Sequence, residues 1–390
     1  MTERLYYYDC YLREFQARVT ESAGDGWRVY LDRSAFYPTS GGQLHDLGTL
    51  GGIAVTGVAE EEDRIAHDLA APLPVGETNG AVDWMRRYDL MQQHTGQHLL
   101  SAVLEELYGL KTVSVHMGLE TSTVDVNTPS LTPQQLEAAE ERSAQFISEA
   151  RPVRISFEDA SAELGLRKES ARTGTLRIIS IEGVDRSACG GTHVRSSAEI
   201  GVILTGKVER IHGISRIEFV CGTRALRRAR NDARHLADLG RILSMPPEQC
   251  SETVAMLVEK NKTLEKERTR LMMESARREG SDLFLGTASD SDGLRRARQS
   301  GVIDDAMRAR AQSFVEGGNA LFVAVCEQPA SLLLAVSADS AVNAGERMKA
   351  ALAQSGGRGG GNHALAQGRV DNAERLEAAV AVLMQGVVPS

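Results

Sequence analysis

Two histidines separated by three residues, His94 and His98 in HTGQH, are matched later in the chain by a cysteine and a histidine at the same spacing, Cys189 and His193 in CGGTH. On a helix this spacing places both side chains on one face, one turn apart. The double glycine of the second motif provides a tight loop able to turn both of its side chains toward one ion. One thiolate and three imidazoles form a donor set that suits a single zinc ion. One histidine pair alone would be ordinary; the second pair, far away in sequence, implies a metal that joins distant segments of one fold. Cys10, Cys221, Cys250 and Cys326 are scattered and read as small buried apolar residues, not as ligands or a disulfide framework.

The elements that must position these residues can be read around them. Asp89 reads as a helix N-cap, and Leu90 to Leu107 keeps helical periodicity through Leu99, Val103 and Leu107. Gly109 is the expected stop. Thr132-Pro133 opens a second helix, to about Ala150, with a cap followed by proline at the first helical position. Strand-like runs follow at Val153 to Phe157, Leu176 to Ile181, Gly201 to Leu204 and Arg216 to Val220, and CGGTH falls in a loop among them. Ahead of the first helix, Trp27 to Leu31 and Ile53 to Val58 alternate in polarity between glycines, and FYPTSGGQLHDLG, from Phe36 to Gly48, reads as a loop. Such short strands and turns suggest a small β-barrel. Helices and strands mix without regular βαβ alternation, so the expected class is α+β.

Pro246-Pro247 marks a boundary. A long charged helix from Glu248 to Arg278 follows, with a thin apolar stripe of Val254, Leu257, Val258, Leu264 and Leu271 that fits either a homodimer seam or packing on its own domain. Ala320 to Val325 and Ser331 to Val336 are apolar strand runs of a last domain. Between helical stretches at Ala341 to Gln354 and Asn372 to Gln385 lies SGGRGGGNHALAQGRV. Its glycines would let backbone approach a partner closely; a flexible loop is the plainer alternative. The expected division is a barrel over 1–88, a metal-binding α/β domain over 89–245, a helical linker over 246–282 and an α/β tail over 283–390.

Bulk properties narrow the classes. The chain has 390 residues, and its net charge of −9 excludes a protein that coats nucleic acid indiscriminately. Charge is uneven, however: Lys207, Arg210, Arg216, Arg224, Arg227, Arg228, Arg230 and Arg234 make one basic stretch, which reads equally as a phosphate-contacting surface or a solvated helix face. No apolar run approaches a membrane span, and the N-terminus lacks the pattern of a signal peptide, so a cytoplasmic location is the default.

Three segments carry a family resemblance. Val82 to Leu100, Ala188 to Val194 and FYPTSGGQ (Phe36 to Gln43) resemble the editing domain of alanyl-tRNA synthetase, and still more its free-standing relatives, the alanyl-tRNA editing (AlaX) proteins. Ser355 to Val370 is similar to the DHHA1 domain that ends both the synthetase and the long AlaX form. No P-loop and no Asp-His-His phosphoesterase motif is present, and no nucleotide cofactor is expected. The resemblance implies a trans-acting deacylase that hydrolyses Ser-tRNA(Ala), with Gly-tRNA(Ala) as a second substrate to consider, and spares Ala-tRNA(Ala).

Carried over, His94, His98, Cys189 and His193 match the family's ligands for one Zn2+ per chain. Zinc can activate a water, yet four protein ligands fill a tetrahedron and are typical of a structural ion; both roles stay open. Thr39 matches a position that hydrogen-bonds the serine hydroxyl, a contact that leaves a polar group unsatisfied when alanine enters; its local alternative is a turn residue satisfying nearby backbone. Gly41 and Gly42 shape the same substrate loop, Gln43 would line the pocket, and His116 would position water or move a proton. Asp185 reads as an acceptor behind a ligand histidine or, preferably, as a surface turn. Arg358, Gly359, Gly360 and Gly361 are the expected tRNA contacts of the tail, with Asn362, His363, Gln367 and Arg369 around them. His45, His67, His212, His235 and His363 read as structural. The rival reading of the whole is a zinc-stabilised tRNA-binding module without catalysis; a third is a metal hydrolase for a free small ester or amide.

Overall fold

In the computed structural model, which describes residues 1–160, 164–169 and 173–385, the helix carrying the first histidine pair starts earlier than its apolar pattern suggests. Helix α1 runs Trp84–Tyr108, capped by Asp83, whose side chain accepts from the Arg86 N–H. Met85 in the first turn is exposed, so the apolar periodicity begins only at Leu90. Asp89 is not a cap; it lies inside the helix and pairs with Arg224 at 2.6 Å. Gly109 ends α1 in the left-handed conformation, φ 67. Helix α2, Pro133–Ser148, carries the Thr132–Gln135 capping box at its start.

The described chain divides into two compact units, Met1–Ile242 and Leu243–Ser390. The segments expected as 1–88 and 89–245 thus share one unit, and the expected linker helix belongs with the tail.

In the first unit, six strands pair in the order Glu14–Ala23, Arg28–Leu31, Arg64–Leu69, Ile53–Glu61, Gly48–Leu50 and Gly76–Val82. Gly76–Val82 returns to pair with Glu14–Ala23, so the ring of strands closes. Val19, Val29, Leu31, Leu50, Val55, Val58 and Ile65 fill it, as period-2 alternation requires. Helix α1 packs against α2 and a four-stranded sheet ordered Ile203–Ile211, Ile214–Cys221, Ser122–Val126, Thr112–Met117. Leu99, Leu100, Val103 and Leu104 of α1 share a core with Phe146, Val124, Ile217 and Phe219. A three-stranded antiparallel sheet, Val153–Asp159, Thr175–Ile181 and Asp185–Ala188, ends where Cys189 begins. Helix α3, Gly222–Leu243, holds much of the basic stretch; Arg227, Arg230 and Arg234 are exposed on it.

In the second unit, helix α4, Cys250–Gly286, packs on helix α5, Asp305–Val315, near its C-terminal end, where Gly280 faces the Arg310 carbonyl and Glu279 pairs with Arg310. The α4 stripe residues Val254, Leu257, Val258, Leu264 and Leu271 are exposed. Strands Arg295–Ser300, Ala320–Glu327, Ala330–Val336, Leu365–Arg369 and Arg358–Gly361 form one sheet in that order. Its central strands are buried on both faces, which explains their unbroken apolar runs. Leu321, Val323, Leu332 and Leu334 meet helices α6, Ala344–Ser355, and α7, Ala373–Met384, while Phe322, Ala324, Leu333 and Ala335 share a second core with α5. The glycine-rich tail segment is therefore a strand pair, not a loop. No helix among the described residues is long and apolar enough to cross a membrane.

Candidate metal centre and its loop

His94, His98 and His193 are buried, and with Cys189 they offer four ligand atoms that all lie within 4.8 Å of one another. The Cys189 Sγ is 3.4 Å from both His94 Nε2 and His193 Nε2. With metal–nitrogen and metal–sulfur bonds of about 2.1 and 2.3 Å, a tetrahedral site has sulfur–nitrogen edges of about 3.6 Å. The two sulfur–nitrogen edges match such a site, and the four side chains together could hold a single metal ion.

Residues behind the cluster fix the direction of each ring. His94 Nδ1 donates to Gln43 Oε1 at 2.7 Å, His98 Nδ1 to Asp185 Oδ2 at 2.8 Å, and His193 Nδ1 to Thr95 Oγ1 at 3.1 Å. With all three Nδ1 atoms engaged, the Nε2 atoms are left to face the ion. The Gln43 amide is itself held, its Oε1 accepting from the Thr192 N–H and its Nε2 donating to Thr192 Oγ1. Arg167 holds Asp185 at 2.6 Å. Arg177 donates to the carbonyls of Cys189 and Gly191, clamping the CGG turn, and the Gly191 N–H points at Cys189 Sγ. A Cβ at Gly191 would overlap the His94 ring, so this position must be glycine for the cluster to close.

The titration of these groups follows from that arrangement. Burial pushes the Cys189 thiol up, but facing His94 and His193 outweighs it and holds the thiol well below its ordinary value. Burial and the neighbouring His94 lower His193 to about 3, which keeps it neutral and able to ligate. Burial opposes a charged His98, yet its hydrogen bond to Asp185 raises it to about 9. Asp185 is raised by burial and lowered further by His98, and settles at about 2.

Asp185 is thus a buried acceptor behind a ligand and not a surface turn. Gln43, expected to line the pocket, is fully buried behind His94 instead. The loop that delivers it turns tightly: Ser40 and Gln43 exchange backbone hydrogen bonds around Gly41 and Gly42, at φ 56 and 83. Gly42 lies against the strand Thr112–Met117, its carbonyl accepting from the Met117 N–H. His116 is on that strand and exposed. Thr39 is exposed at the start of the turn, and its Oγ1 accepts from the His45 N–H, the local backbone role among its two alternatives.

Sequence reasoning missed the pair that anchors this loop. Arg87 and Asp46 are completely buried and bonded at 2.9 and 2.5 Å. Arg87 also donates to the carbonyls of Cys10 and Ala35, and Asp46 accepts from the Tyr37 N–H. Arg87 sits two turns before His94 on α1, so one helix presents both the metal ligands and the anchor of the loop. The signal lay in the sequence as a charged residue inside an otherwise buried helix face, but its partner is 41 residues away.

In the second unit, Arg358 and Gly359 are exposed on the edge strand. A Cβ at Gly359 would meet Leu352 of α6 at 2.8 Å, and one at Gly361 would strike the Leu365 carbonyl; Gly360 faces open space.

Residues 176–218, which span Cys189 and His193, match the threonyl and alanyl tRNA synthetase second additional domain, and residues 300–387 match the DHHA1 domain. The alanyl-tRNA editing protein AlaX-L of Pyrococcus horikoshii is 33% identical over 396 residues, 95% of this chain and 95% of that protein. The alanyl-tRNA editing protein Aarsd1-A of Xenopus laevis is 34% identical over 69% of this chain and 70% of its own length. An alanine–tRNA ligase of Pyrococcus abyssi is 29% identical over 97% of this chain and 43% of its own length. A clustered donor set on a helix and a turn, a glycine loop wired to one of its ligands, and full-length similarity to AlaX-L place this chain in the family of alanyl-tRNA editing proteins.

Proposed function

We propose that this protein is a trans-acting deacylase that hydrolyses the seryl ester of mischarged Ser-tRNA(Ala) and spares Ala-tRNA(Ala), with one zinc ion held by His94, His98, Cys189 and His193. The observation that carries the reading is the bond from Gln43 to ligand His94, which ties the loop bearing Thr39 to the metal cluster. When bound, zinc would supply a Lewis acid that orients and polarises the aminoacyl end. Thr39 would read the serine hydroxyl, and alanine would leave it unpaired. Glycine lacks the same hydroxyl, so this contact does not select Gly-tRNA(Ala). His116, exposed on the strand that supports Gly42, is the group proposed to move a proton near the ester. Exposed Arg227, Arg230 and Arg234 would meet acceptor-stem phosphates, and Arg358 with the backbone of Gly359 to Gly361 would hold the tRNA body.

The filled count of four protein ligands favours one second reading, a zinc-stabilised tRNA-binding module without catalysis. An acid-gel assay of charged tRNA(Ala) separates them. Loss of serine with alanine retained is expected; tRNA binding and bound zinc with no loss of either amino acid would overturn the deacylase reading.

A further inference from the structure

His45 lies two residues past Gln43 and just before Asp46, whose burial against Arg87 fixes this stretch of chain. Its carbonyl accepts from Arg86 Nε at 3.0 Å, so the backbone is held from α1 as well. Its N–H donates to Thr39 Oγ1 at 3.2 Å, and its ring Nδ1 is 2.9 Å from the same oxygen. In the tautomer protonated at Nε2, the ring Nδ1 is free to accept from the Thr39 hydroxyl. Burial, followed by the nearby Arg86 guanidinium, lowers the His45 pKa against the opposing pull of Asp46 and Asp68. The ring is therefore neutral near pH 7.

Thr39 has one hydroxyl proton and two lone pairs. One lone pair receives the His45 N–H, and with the ring in that tautomer the hydroxyl proton goes to His45 Nδ1. What remains is a single lone pair. We propose that His45 is a positioning residue that fixes the Thr39 hydroxyl as a hydrogen-bond acceptor toward the substrate, so that the site admits an amino acid whose side chain can donate. Serine donates through its hydroxyl; alanine and glycine have no side-chain donor. This inference rests on the reading of Thr39 given above.

The test is a two-residue cycle on full-length, metal-loaded protein, using Ser-tRNA(Ala) and Ala-tRNA(Ala). His45→Phe keeps the ring volume and removes Nδ1; it should lower kcat/KM for the seryl ester about tenfold, the effect of one lost hydrogen bond, and leave bound zinc at one per chain. His45→Asn, whose amide oxygen can accept the Thr39 proton, should recover most of that loss. Thr39→Val should lower the serine-over-alanine preference, and adding His45→Phe to it should lower it no further. An unchanged preference in His45→Phe, or full additivity with Thr39→Val, overturns the role of His45 while leaving that of Thr39 standing. An unchanged preference in Thr39→Val overturns the reading of Thr39 itself, and the inference with it.

Discussion

Glycines crowd two regions of this molecule for different reasons. At the metal cluster, Gly191 is small because a histidine ring occupies the space where its side chain would go. In the tail, Gly359 and Gly361 are small because their own sheet and α6 press against the place of a side chain, and of those three only Gly360 has open space there. A glycine cluster is thus not in itself a binding loop; in one region it serves the site and in the other, for two positions of three, the fold.

That contrast can be broken by substitution. The largest effect is expected from Gly191→Ala, which must displace the His94 ring. Zinc affinity should fall about 100-fold, as for loss of a ligand-orienting contact, while circular dichroism stays native. Retention of stoichiometric zinc under a competing chelator would show that the ring can give way. Gly359→Ala should instead cost stability, about 2 kcal/mol from overpacking against the Gln367 carbonyl and Leu352, with zinc content untouched; denaturant melts read this. Gly360→Ala is the control, expected within about 0.5 kcal/mol of the parent, and any loss of tRNA binding there speaks for contact and not for folding.

The comparison sharpens in acid. His67 is wholly buried in the strand ring, bonded to Ser34, and burial lowers its pKa from 6.5 to about 4. In the unfolded chain it takes up a proton first as pH falls. Its contribution is intact above 6.5 and is lost through the window down to 4, amounting to about 2 kcal/mol at pH 5. His67→Gln, with a neutral amide toward Ser34, should show a flatter pH dependence between 7 and 5. An identical slope would remove His67 as the cause.

The clustering of His94, His98, Cys189 and His193 was legible because each pair is local, one turn or one tight loop, and carries side chains with few other joint uses. Their supports were not. Gln43, Thr95 and Asp185 reach His94, His193 and His98 across 51, 98 and 87 residues, and no periodicity encodes such pairings. Asp185 was weighed toward the surface because an isolated acid usually is; burial among Arg167, Ser187 and His98 reverses that. The helix start slipped from Asp83 to Asp89 because an exposed first turn hides from an apolar pattern. The tail strand Arg358–Gly361 was hidden because glycine has low strand propensity, and tertiary packing under Leu352 overrode it. His45 looked structural because nothing in its spacing points to Thr39.

One side chain, Gln43, touches both the candidate ligand His94 and, through two bonds to Thr192, the turn between Cys189 and His193. It also ends the turn that begins next to Thr39. On the proposed function, occupancy of the ion and geometry of the loop bearing Thr39 are coupled through this side chain. Whatever factor the ion contributes to affinity for an aminoacyl end, that ligand must return to the ion, by reciprocity. A chelator should therefore strip the metal more slowly and at higher concentration when a non-hydrolysable seryl adenosine is present. Under the proposed function, ion loss would then loosen the loop around Thr39 as well as empty the cluster.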